Sequence, residues 1–355
     1  MSDKVSVVLT LGLPERLVAP IREVSDRLDV AVLSPAQRRA YRKGRPLWYA
    51  YAEERKPDDE SDEEAEASLK RLLGGAEVLF TTPMVPPELA EWTPSVRWLQ
   101  LTSAGVERLL DSELVRDGVT ITTATGIHAI PIGEYVMGVM LAIAKGLPGA
   151  MRAQGESTWR PFLAEELHGK TVGIVGLGAI GGYVAKLAKA DGMRVLAVRR
   201  SAERRVEGTA AGFPDVDELM PPSDLPHLLS ESDYVVIAVP LTPESRGLIG
   251  EKELAAMKPS ARIVNIARGA VIDEQALIRA LKDGRIAGAA LDVFEEEPLP
   301  PDSELWSMEN VLITPHISGG TPVYMERCVE LFCENLRRYL ADEPLRNAVD
   351  RERGY

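Results

Sequence analysis

Short apolar runs alternate with amphipathic stretches along most of the chain. Helical periodicity marks several of the stretches between the runs, among them 179–190, 274–281 and 324–340. Strands that alternate with helices are typical of parallel sheets covered by helices, so the pattern predicts an α/β fold. Eleven predicted strands exceed the usual size of one open sheet, which favours two doubly wound sheets in two domains. The predicted strands are 5–11, 30–33, 77–81, 98–101, 119–122, 171–175, 194–198, 234–239, 262–265, 287–291 and 311–313.

One polar stretch, 34–75, interrupts this alternation. It contains an acidic run, 58–66, in which seven of the nine residues are Asp or Glu. We interpret the run as a solvated loop that leads into a helix, because negative charge at a helix N-terminus stabilises the helix dipole. Binding of a basic partner or of a metal ion is the alternative interpretation of the same charges.

Composition narrows the classes of function. The length of 355 residues fits two domains, and the net charge of −13 argues against nucleic acid as a partner. Only two cysteines are present, which excludes a disulfide scaffold and argues against a zinc site, so no metal is predicted. The imidazoles available for acid–base chemistry near neutral pH are His128, His168, His227 and His316.

No targeting or membrane segment is predicted. The N-terminal apolar run is not followed by a small-residue cleavage site, so we interpret it as a strand. The most apolar helical run, 135–144, has ten residues, whereas a helix needs about 20 to span a bilayer. We therefore expect a buried core helix, no membrane partner and a cytoplasmic protein.

A glycine-rich motif follows the predicted strand 171–175 and precedes a helical pattern. It reads Gly176-Leu177-Gly178-Ala179-Ile180-Gly181, which is G-x-G-x-x-G between a strand and a helix. In such turns the first glycine allows a tight bend, the second lets a pyrophosphate approach, and the third lets helix and strand pack closely. The helix N-terminus adds free N–H groups for the phosphates. The motif predicts a dinucleotide site, and a packing turn in an unrelated sheet is the alternative.

The residues after the next strand bear on which dinucleotide binds. An acidic residue at that position would bind the ribose 2′-hydroxyl of NAD, but Arg199, Arg200 and Ser201 follow the strand 194–198 here. Two guanidinium groups and a hydroxyl suit a 2′-phosphate in charge and geometry, which favours NADP over NAD. In the alternative interpretation one arginine stacks on adenine and does not sense the phosphate.

Three candidate catalytic side chains follow late strands. Arg268 lies in N-I-A-R-G, Glu297 ends the acids of D-V-F-E-E-E-P, and His316 lies in T-P-H-I-S-G-G. Ligands of open α/β sheets bind just past the carboxyl ends of the strands, so all three are expected near a ligand. An imidazolium can protonate a carbonyl oxygen, a carboxylate beside it favours the charged ring, and an arginine can hold a carboxylate. Physical reasoning alone does not separate Glu297 from Glu295 and Glu296.

In these motifs the chain resembles the D-2-hydroxyacid dehydrogenase family, in the branch of glyoxylate/hydroxypyruvate reductases. The same resemblance is carried by T-S-A-G-V at 102–106, G-E-Y at 133–135, L-H-G-K-T-V-G-I-V at 167–175 and P-L-T-P-E at 240–244. It implies that Arg268, Glu297 and His316 are the catalytic set, Glu297 being the acid that precedes proline in the family motif. It also implies reduction of a small 2-keto acid to the D-2-hydroxy acid, with a hydride from the nicotinamide.

The resemblance assigns binding roles as well. It implies that Ser103, Ala104 and Gly105 bind the substrate carboxylate together with Arg268 and His316. Further residues implied to contact the cofactor are Val239, Pro240, Ala267, Asp292 and Gly319. Trp159 stands where some reductases of the family have a tryptophan that reaches the partner subunit's site, although a buried interface residue explains it equally well.

The family architecture that this implies is a Rossmann cofactor domain, 126–317, inserted into a flavodoxin-like substrate domain, 1–125 and 318–355. A cleft between the domains would hold NADPH and the 2-keto acid, and the apolar helix 134–144 would support a homodimer. The alternatives left open are phosphonate or phosphoglycerate oxidation within the family and, outside enzymes, an NAD(P)-sensing co-repressor that binds partner peptides. Which 2-hydroxy acid is the substrate depends on loop geometry and is left open.

Overall fold

The computed structural model describes residues 4–42, 61–106, 109, 112–114, 118–207 and 212–350. The chain forms two units, of which one comprises Met1–Ile127 and Pro322–Tyr355 and the other His128–Thr321. We call the first the outer unit and the second the inserted unit. The predicted bounds of the inserted domain, 126–317, lie a few residues earlier at each end.

The outer unit is built on a five-stranded parallel sheet. Its strand order, β2-β1-β3-β4-β5, is that of flavodoxin-like folds. The strands are Val5–Leu9 (β1), Leu28–Val32 (β2), Val78–Thr81 (β3), Trp98–Leu101 (β4) and Thr120–Thr122 (β5). The helices are Glu15–Arg22 (α1), Pro35–Arg42 (α2), Asp62–Gly74 (α3), Leu89–Trp92 (α4) and the C-terminal Tyr324–Leu340, which is α11 in chain order.

The core of the outer unit depends on the C-terminal helix. Phe80 of β3 and Trp98 of β4 pack on Phe332 of α11, with ring centroids 4.6 and 5.3 Å apart. The indole N–H of Trp98 donates a 2.7 Å hydrogen bond to Thr122 Oγ1, so this buried donor is satisfied. The chain segment after the inserted unit therefore completes the core of the segment before it.

Helix α3 begins inside the acidic run. Ser61 caps the helix by accepting from the Glu64 N–H, and the Glu64 carboxylate accepts from the Ser61 N–H in return. Three acids occupy the first turn, where the helix dipole favours negative charge. The predicted helix start is therefore confirmed for 61–66, whereas residues 58–60 lie outside the described residues.

The inserted unit contains an eight-stranded sheet in the order β13-β12-β11-β10-β6-β7-β9-β8. All neighbouring strands are parallel except β8 and β9. Its strands are Thr171–Val175 (β6), Arg194–Val198 (β7), Val206–Glu207 (β8), Glu218–Met220 (β9), Tyr234–Ile237 (β10), Arg262–Asn265 (β11), Gly288–Leu291 (β12) and Val311–Ile313 (β13). Its α-helices are Ala129–Ala144 (α5), Leu147–Gly155 (α6), Ala179–Ala190 (α7), Leu225–Glu231 (α8), Glu251–Ala256 (α9) and Glu274–Lys282 (α10).

The strand order creates a switch point in the inserted unit. From β6 the sheet grows through β7 on one side and through β10 on the other. In doubly wound sheets, ligands bind at the carboxyl ends of the strands where the order reverses. The edge at which β6 and β10 end is therefore the ligand-binding position expected of this fold.

The α/β prediction with two parallel sheets is confirmed. Each of the eleven predicted strands overlaps an observed strand, while β8 and β9 were missed. These two strands have two and three residues, too few to show alternation, and β9 includes a charged residue, Glu218. That glutamate is buried because Arg194 and Arg205 both bind its carboxylate.

Part of helix α5 is buried in the core of the inserted unit, where the sequence predicted a buried core helix, while its Ile130 and Leu141 are 39% and 38% exposed. Within the described residues, no single helix meets the length and hydropathy expected of a membrane span. The helix pair α5 and α6 passes that test only when the two are joined across a 64° bend, on length and composition alone.

Candidate active site

The glycine-rich turn has the geometry that a pyrophosphate site requires. Gly176 has a φ of +104°, and a Cβ there would lie 2.6 Å from the carbonyl oxygen of Ala238. A Cβ on Gly181 would lie 2.1 Å from the Gly176 oxygen, so both positions exclude side chains. A Cβ on Gly178, the N-cap of α7, would instead meet open space. The open face at the helix N-terminus fits a pyrophosphate.

The other predicted cofactor residues of the turn region lie around the same sheet edge. Ala179 and Ile180 form the first turn of α7. Val239 and Pro240 follow β10, and a Cβ on Gly176 would lie 2.8 Å from Val239 Cγ1. The turn and the end of β10 are therefore brought together at the switch point.

The basic residues after β7 are held differently from one another. The Arg199 guanidinium lies over the Phe213 ring, 4.8 Å from its centroid, and its backbone N–H donates to Met220. Arg200 and Ser201 are exposed. The pKa of Glu244 is lowered mainly by its hydrogen bond with Thr242 and, to a smaller degree, by the charge of Arg200. Arg200 is thus an exposed cation whose charge reaches Glu244 in the 240–244 loop.

Arg268 follows β11 in a turn that the chain itself braces. The Asn265 side chain accepts from the Ala267 N–H and donates to the Arg268 carbonyl, both at 3.1 Å. The half-buried Arg268 guanidinium donates to the Ala267 carbonyl at 2.8 Å. Gly269 lies so close to the Phe294 backbone that a Cβ would fall 1.8 Å from its carbonyl carbon. The turn carrying Arg268 therefore packs directly on the loop after β12.

Glu297 and His316 form a pair. The Nδ1 atom of His316 lies 2.7 Å from Glu297 Oε2, and Glu297 Oε1 accepts from the Phe294 N–H at 3.1 Å. Among the three consecutive acids Glu297 is the one whose carboxylate contacts the imidazole, whereas the Glu295 N–H donates to Glu274. With Nδ1 engaged, Nε2 on the opposite side of the ring is the nitrogen available to a ligand.

The electrostatics of the pair favour a carboxylate beside a charged ring. Burial alone would raise the pKa of Glu297. The hydrogen bonds from His316 and from the Phe294 N–H outweigh burial and, with the charge of Arg268, hold this pKa below its usual value. Glu297 is therefore ionised at neutral pH, and its negative charge lies beside the His316 ring.

His316 is held in an unusual backbone conformation. Its φ is +54°, in the left-handed region that residues other than glycine rarely adopt. Its N–H donates to the Asp292 carbonyl at 2.9 Å, and the Asp292 carboxylate accepts from Ile317 and Ser318, each at 2.9 Å. Asp292, predicted among the cofactor residues, is fully buried and directs its carboxylate into this turn. Ala267 is also buried, and its cofactor contact stays a prediction.

The predicted carboxylate loop lies in the outer unit after β4. The Thr102 N–H donates to Thr81, and the hydroxyl of Ser103 donates to the Gly105 carbonyl at 2.8 Å. Within the described part of the chain, the backbone N–H groups of Ser103, Ala104 and Gly105 have no protein acceptor. Successive free N–H groups are suited to an anion such as a carboxylate.

The remaining histidines have other surroundings. His168 Nδ1 lies 3.3 Å from the Asp191 carbonyl, and His227 Nε2 lies 3.8 Å from Glu218. His128 is the N-cap residue of α5, and a Cβ on Gly319 would lie 2.9 Å from its ring. Gly319 comes three residues after His316, and any larger residue at this position would collide with the His128 ring. Among the described residues no group of three or more His, Cys, Asp and Glu side chains could hold a metal ion.

Known proteins resemble this chain over most of its length. Residues 137–318 match the family model of the D-isomer specific 2-hydroxyacid dehydrogenase NAD binding domain. A glyoxylate reductase of Thermococcus gammatolerans is 38% identical over 286 residues, which cover 78% of this chain and 82% of the relative. A glyoxylate reductase of Korarchaeum cryptofilum is 36% identical over 283 residues, covering 77% and 82%.

A solved structure extends the similarity to both units. It is the D-isomer specific 2-hydroxyacid dehydrogenase of Xanthobacter autotrophicus Py2, crystallised with NADPH and MES. The two chains are 28% identical with a TM-score of 0.76, and the alignment covers 99% of this chain and 100% of the other. The chain therefore belongs to the D-isomer specific 2-hydroxyacid dehydrogenase family and is an NAD(P)-dependent oxidoreductase.

Proposed function

We propose that the protein reduces a small 2-keto acid to the D-2-hydroxy acid, with glyoxylate and hydroxypyruvate as the leading substrates. The observation that carries this proposal is the 2.7 Å pair of His316 and Glu297, beside the turn that bears Arg268. An acid, its carboxylate partner and a guanidinium are the groups that carbonyl reduction of an anionic substrate needs. The relatives named glyoxylate reductase support the choice of substrate.

Each residue of the set has a distinct task. His316 donates the proton on Nε2 to the carbonyl oxygen as that oxygen gains negative charge. Glu297 fixes the orientation of the ring through Nδ1 and places a negative charge beside it. Arg268 holds the substrate carboxylate and polarises the carbonyl. When bound, the reduced nicotinamide supplies the hydride that the carbonyl carbon receives.

The free N–H groups of Ser103, Ala104 and Gly105 are the proposed second anchor of the substrate carboxylate. Each of these N–H groups can donate to a carboxylate oxygen, the group that glyoxylate and hydroxypyruvate both carry.

A substrate panel tests this function. Oxidation of NADPH is followed by absorbance with glyoxylate, hydroxypyruvate and pyruvate, for the native protein and for His316→Ala. Turnover by the native protein that depends on His316 supports the proposal. Rates for every 2-keto acid that do not exceed those of the variant would contradict it and would favour a nucleotide-sensing binding protein.

We further propose that NADP is the preferred cofactor. The exposed Arg200 and Ser201, which follow β7, are the proposed ligands of the 2′-phosphate of NADP, whereas Arg199 packs on Phe213. The structure of the Xanthobacter relative with NADPH supports this assignment. Because Arg199 has a ring partner on one face, adenine stacking on its other face is compatible with the same arrangement.

We expect Arg200→Ala to raise the KM for NADPH by roughly 10- to 100-fold, the effect of losing one hydrogen-bonded charge pair. The KM for NADH is expected to stay unchanged, because NADH has no 2′-phosphate. Steady-state kinetics with both cofactors measure this, and Arg285→Ala, an exposed arginine before β12, is the control. An equal rise for both cofactors, or a native preference for NADH, would refute the argument from Arg200.

We propose that the protein is a homodimer, because a segment with exposed apolar side chains is available for a contact between two chains. We call this segment, residues 147–163, the apolar arm. Helix α6 has no buried residue, and its Met151 is 71% exposed, while Trp159 and Leu163 beyond it are 94% and 100% exposed. Apolar side chains exposed together in this way mark a surface that another protein covers. A second copy of the chain is the proposed occupant, which would add to the contact predicted for the helix 134–144.

We expect Leu163→Asp to convert this dimer to a monomer, because a charge buried in an apolar interface lacks a partner. Light scattering after size-exclusion chromatography gives the mass of each species. The control is Trp306→Asp, which introduces the same charge at an exposed apolar residue outside the arm. Native protein with the mass of one chain would argue against the dimer.

A further inference from the structure

A chain of hydroxyl groups links helix α5 to the turn that carries His316. The Tyr135 hydroxyl lies 2.7 Å from Thr314 Oγ1, and Thr314 Oγ1 donates a 2.5 Å hydrogen bond to Asp292 Oδ1. The Thr314 hydroxyl has one proton, and it donates this proton to the Asp292 carboxylate, because an ionised carboxylate can only accept hydrogen bonds. The Tyr135 hydroxyl must therefore donate to Thr314, and the chain runs in one direction from tyrosine to aspartate.

Asp292 connects the Thr314 hydroxyl to the turn that carries His316 through hydrogen bonds. Its Oδ1 also accepts from the Ile317 N–H and its Oδ2 from the Ser318 N–H, while its carbonyl accepts from the His316 N–H. Both carboxylate oxygens are thus engaged on the turn, and the residue is completely buried. A backbone conformation such as that of His316 persists only where surrounding contacts determine it.

Tyr135 is suited to remain a donor at any physiological pH. It is partly buried on α5, and this burial, with a smaller effect of the nearby Asp292 charge, raises the pKa of its hydroxyl to about 12. The helix that carries Tyr135 packs into the core of the inserted unit, which fixes the position of the tyrosine backbone. A rigid, permanently protonated donor can hold the Thr314 hydroxyl in one rotamer.

We propose that Tyr135 is a positioning residue for His316, acting through Thr314 and Asp292. This inference rests on the proposed role of His316 as the proton donor. Without the tyrosine hydroxyl, the Thr314 side chain can leave the rotamer in which it donates to Asp292. The carboxylate then loses one of the three groups that orient it, and the His316 turn gains freedom relative to Glu297. Proton donation suffers, while the cofactor turn at Gly176–Gly181 is not affected.

The test compares Tyr135→Phe with two variants of its partner, Thr314→Val and Thr314→Ser. We expect Tyr135→Phe, which removes one hydrogen bond of the chain, to lower kcat roughly fivefold with the KM for NADPH unchanged. Thr314→Val removes both hydrogen bonds of the Thr314 hydroxyl and is expected to lower kcat at least as far. The double variant Tyr135→Phe with Thr314→Val is expected to be no worse than Thr314→Val alone, because both changes break one chain. Thr314→Ser keeps the hydroxyl and is expected to retain native kcat.

Tyr234→Phe is the matched control. The Tyr234 hydroxyl is buried without a hydrogen-bond partner among the described residues, and the residue lies at the start of β10, so its removal is expected to leave kcat unchanged. Native kcat in Tyr135→Phe would overturn the inference, even if its melting temperature fell. Additive losses in the double variant would also overturn it. If native protein and His316→Ala turned over equally, the proposed function would fail and the inference with it, an outcome distinct from the other two.

Discussion

We expect His316→Ala to lower kcat for glyoxylate reduction by about 10²- to 10⁴-fold, the usual contribution of a positioned general acid. The imidazole is the group whose Nδ1 is held by Glu297 at 2.7 Å, which leaves Nε2 to donate the proton. Alanine removes that donor and leaves the carbonyl oxygen to be protonated by water. The loss should fall on kcat, because the glycine-rich turn that would bind the cofactor is built from other residues.

Absorbance of NADPH measures the effect, and equilibrium binding of NADPH by fluorescence shows whether the cofactor site is intact. The control is His168→Ala, an exposed histidine whose ring approaches only the Asp191 carbonyl at 3.3 Å. A variant with native kcat would remove His316 from the mechanism.

The architecture could be predicted because it depends on local patterns. Parallel strands buried on both faces appear as continuous apolar runs, and every predicted run overlaps an observed strand. The order of strands is not local: Val172 of β6 pairs with Tyr234 of β10, far along the chain. Nor does the sequence show that the buried Glu218 belongs to a strand, because its burial depends on two arginines that the fold brings to it.

The same distinction applies to the site. The glycine-rich turn was predictable because each glycine has a reason visible in the motif: the structure leaves no room for a Cβ at Gly176 or Gly181 and leaves open space at Gly178. The choice of Glu297 among three acids came from family resemblance, since only the fold of the loop, with Phe294 donating to Glu297, turns that side chain inward. Tyr135 and Thr314 are 179 residues apart, so no spacing rule could have paired them.

We expect Gly269→Ala to damage both stability and catalysis, although the residue has no side chain and touches no ligand. A Cβ at Gly269 would lie 1.8 Å from the Phe294 carbonyl carbon and 2.2 Å from the Glu295 nitrogen. These are backbone atoms, which cannot rotate away as the end of a side chain could. The methyl group must therefore separate the turn that carries Arg268 from the loop that carries Glu297.

The expected loss of unfolding free energy is about 1–3 kcal/mol, the usual cost of overpacking a tight contact. A displacement of about 1 Å between catalytic groups can lower the rate about 100-fold, so we expect kcat/KM to fall by that order. Thermal melting and steady-state kinetics measure the two effects separately. Gly74→Ala is the matched control, because a Cβ at the end of α3 would meet open space.

The two measurements together distinguish a general loss of packing from a loss of site geometry. A less stable Gly269→Ala protein that keeps native kcat/KM below its melting transition would mean that the Arg268 and Glu297 loops tolerate separation. The proposed cooperation between the guanidinium and the His316–Glu297 pair would then be wrong. A loss of kcat/KM at temperatures where the variant is fully folded would instead tie the rate to the spacing of the loops, because the substitution changes no charged or hydrogen-bonding side chain.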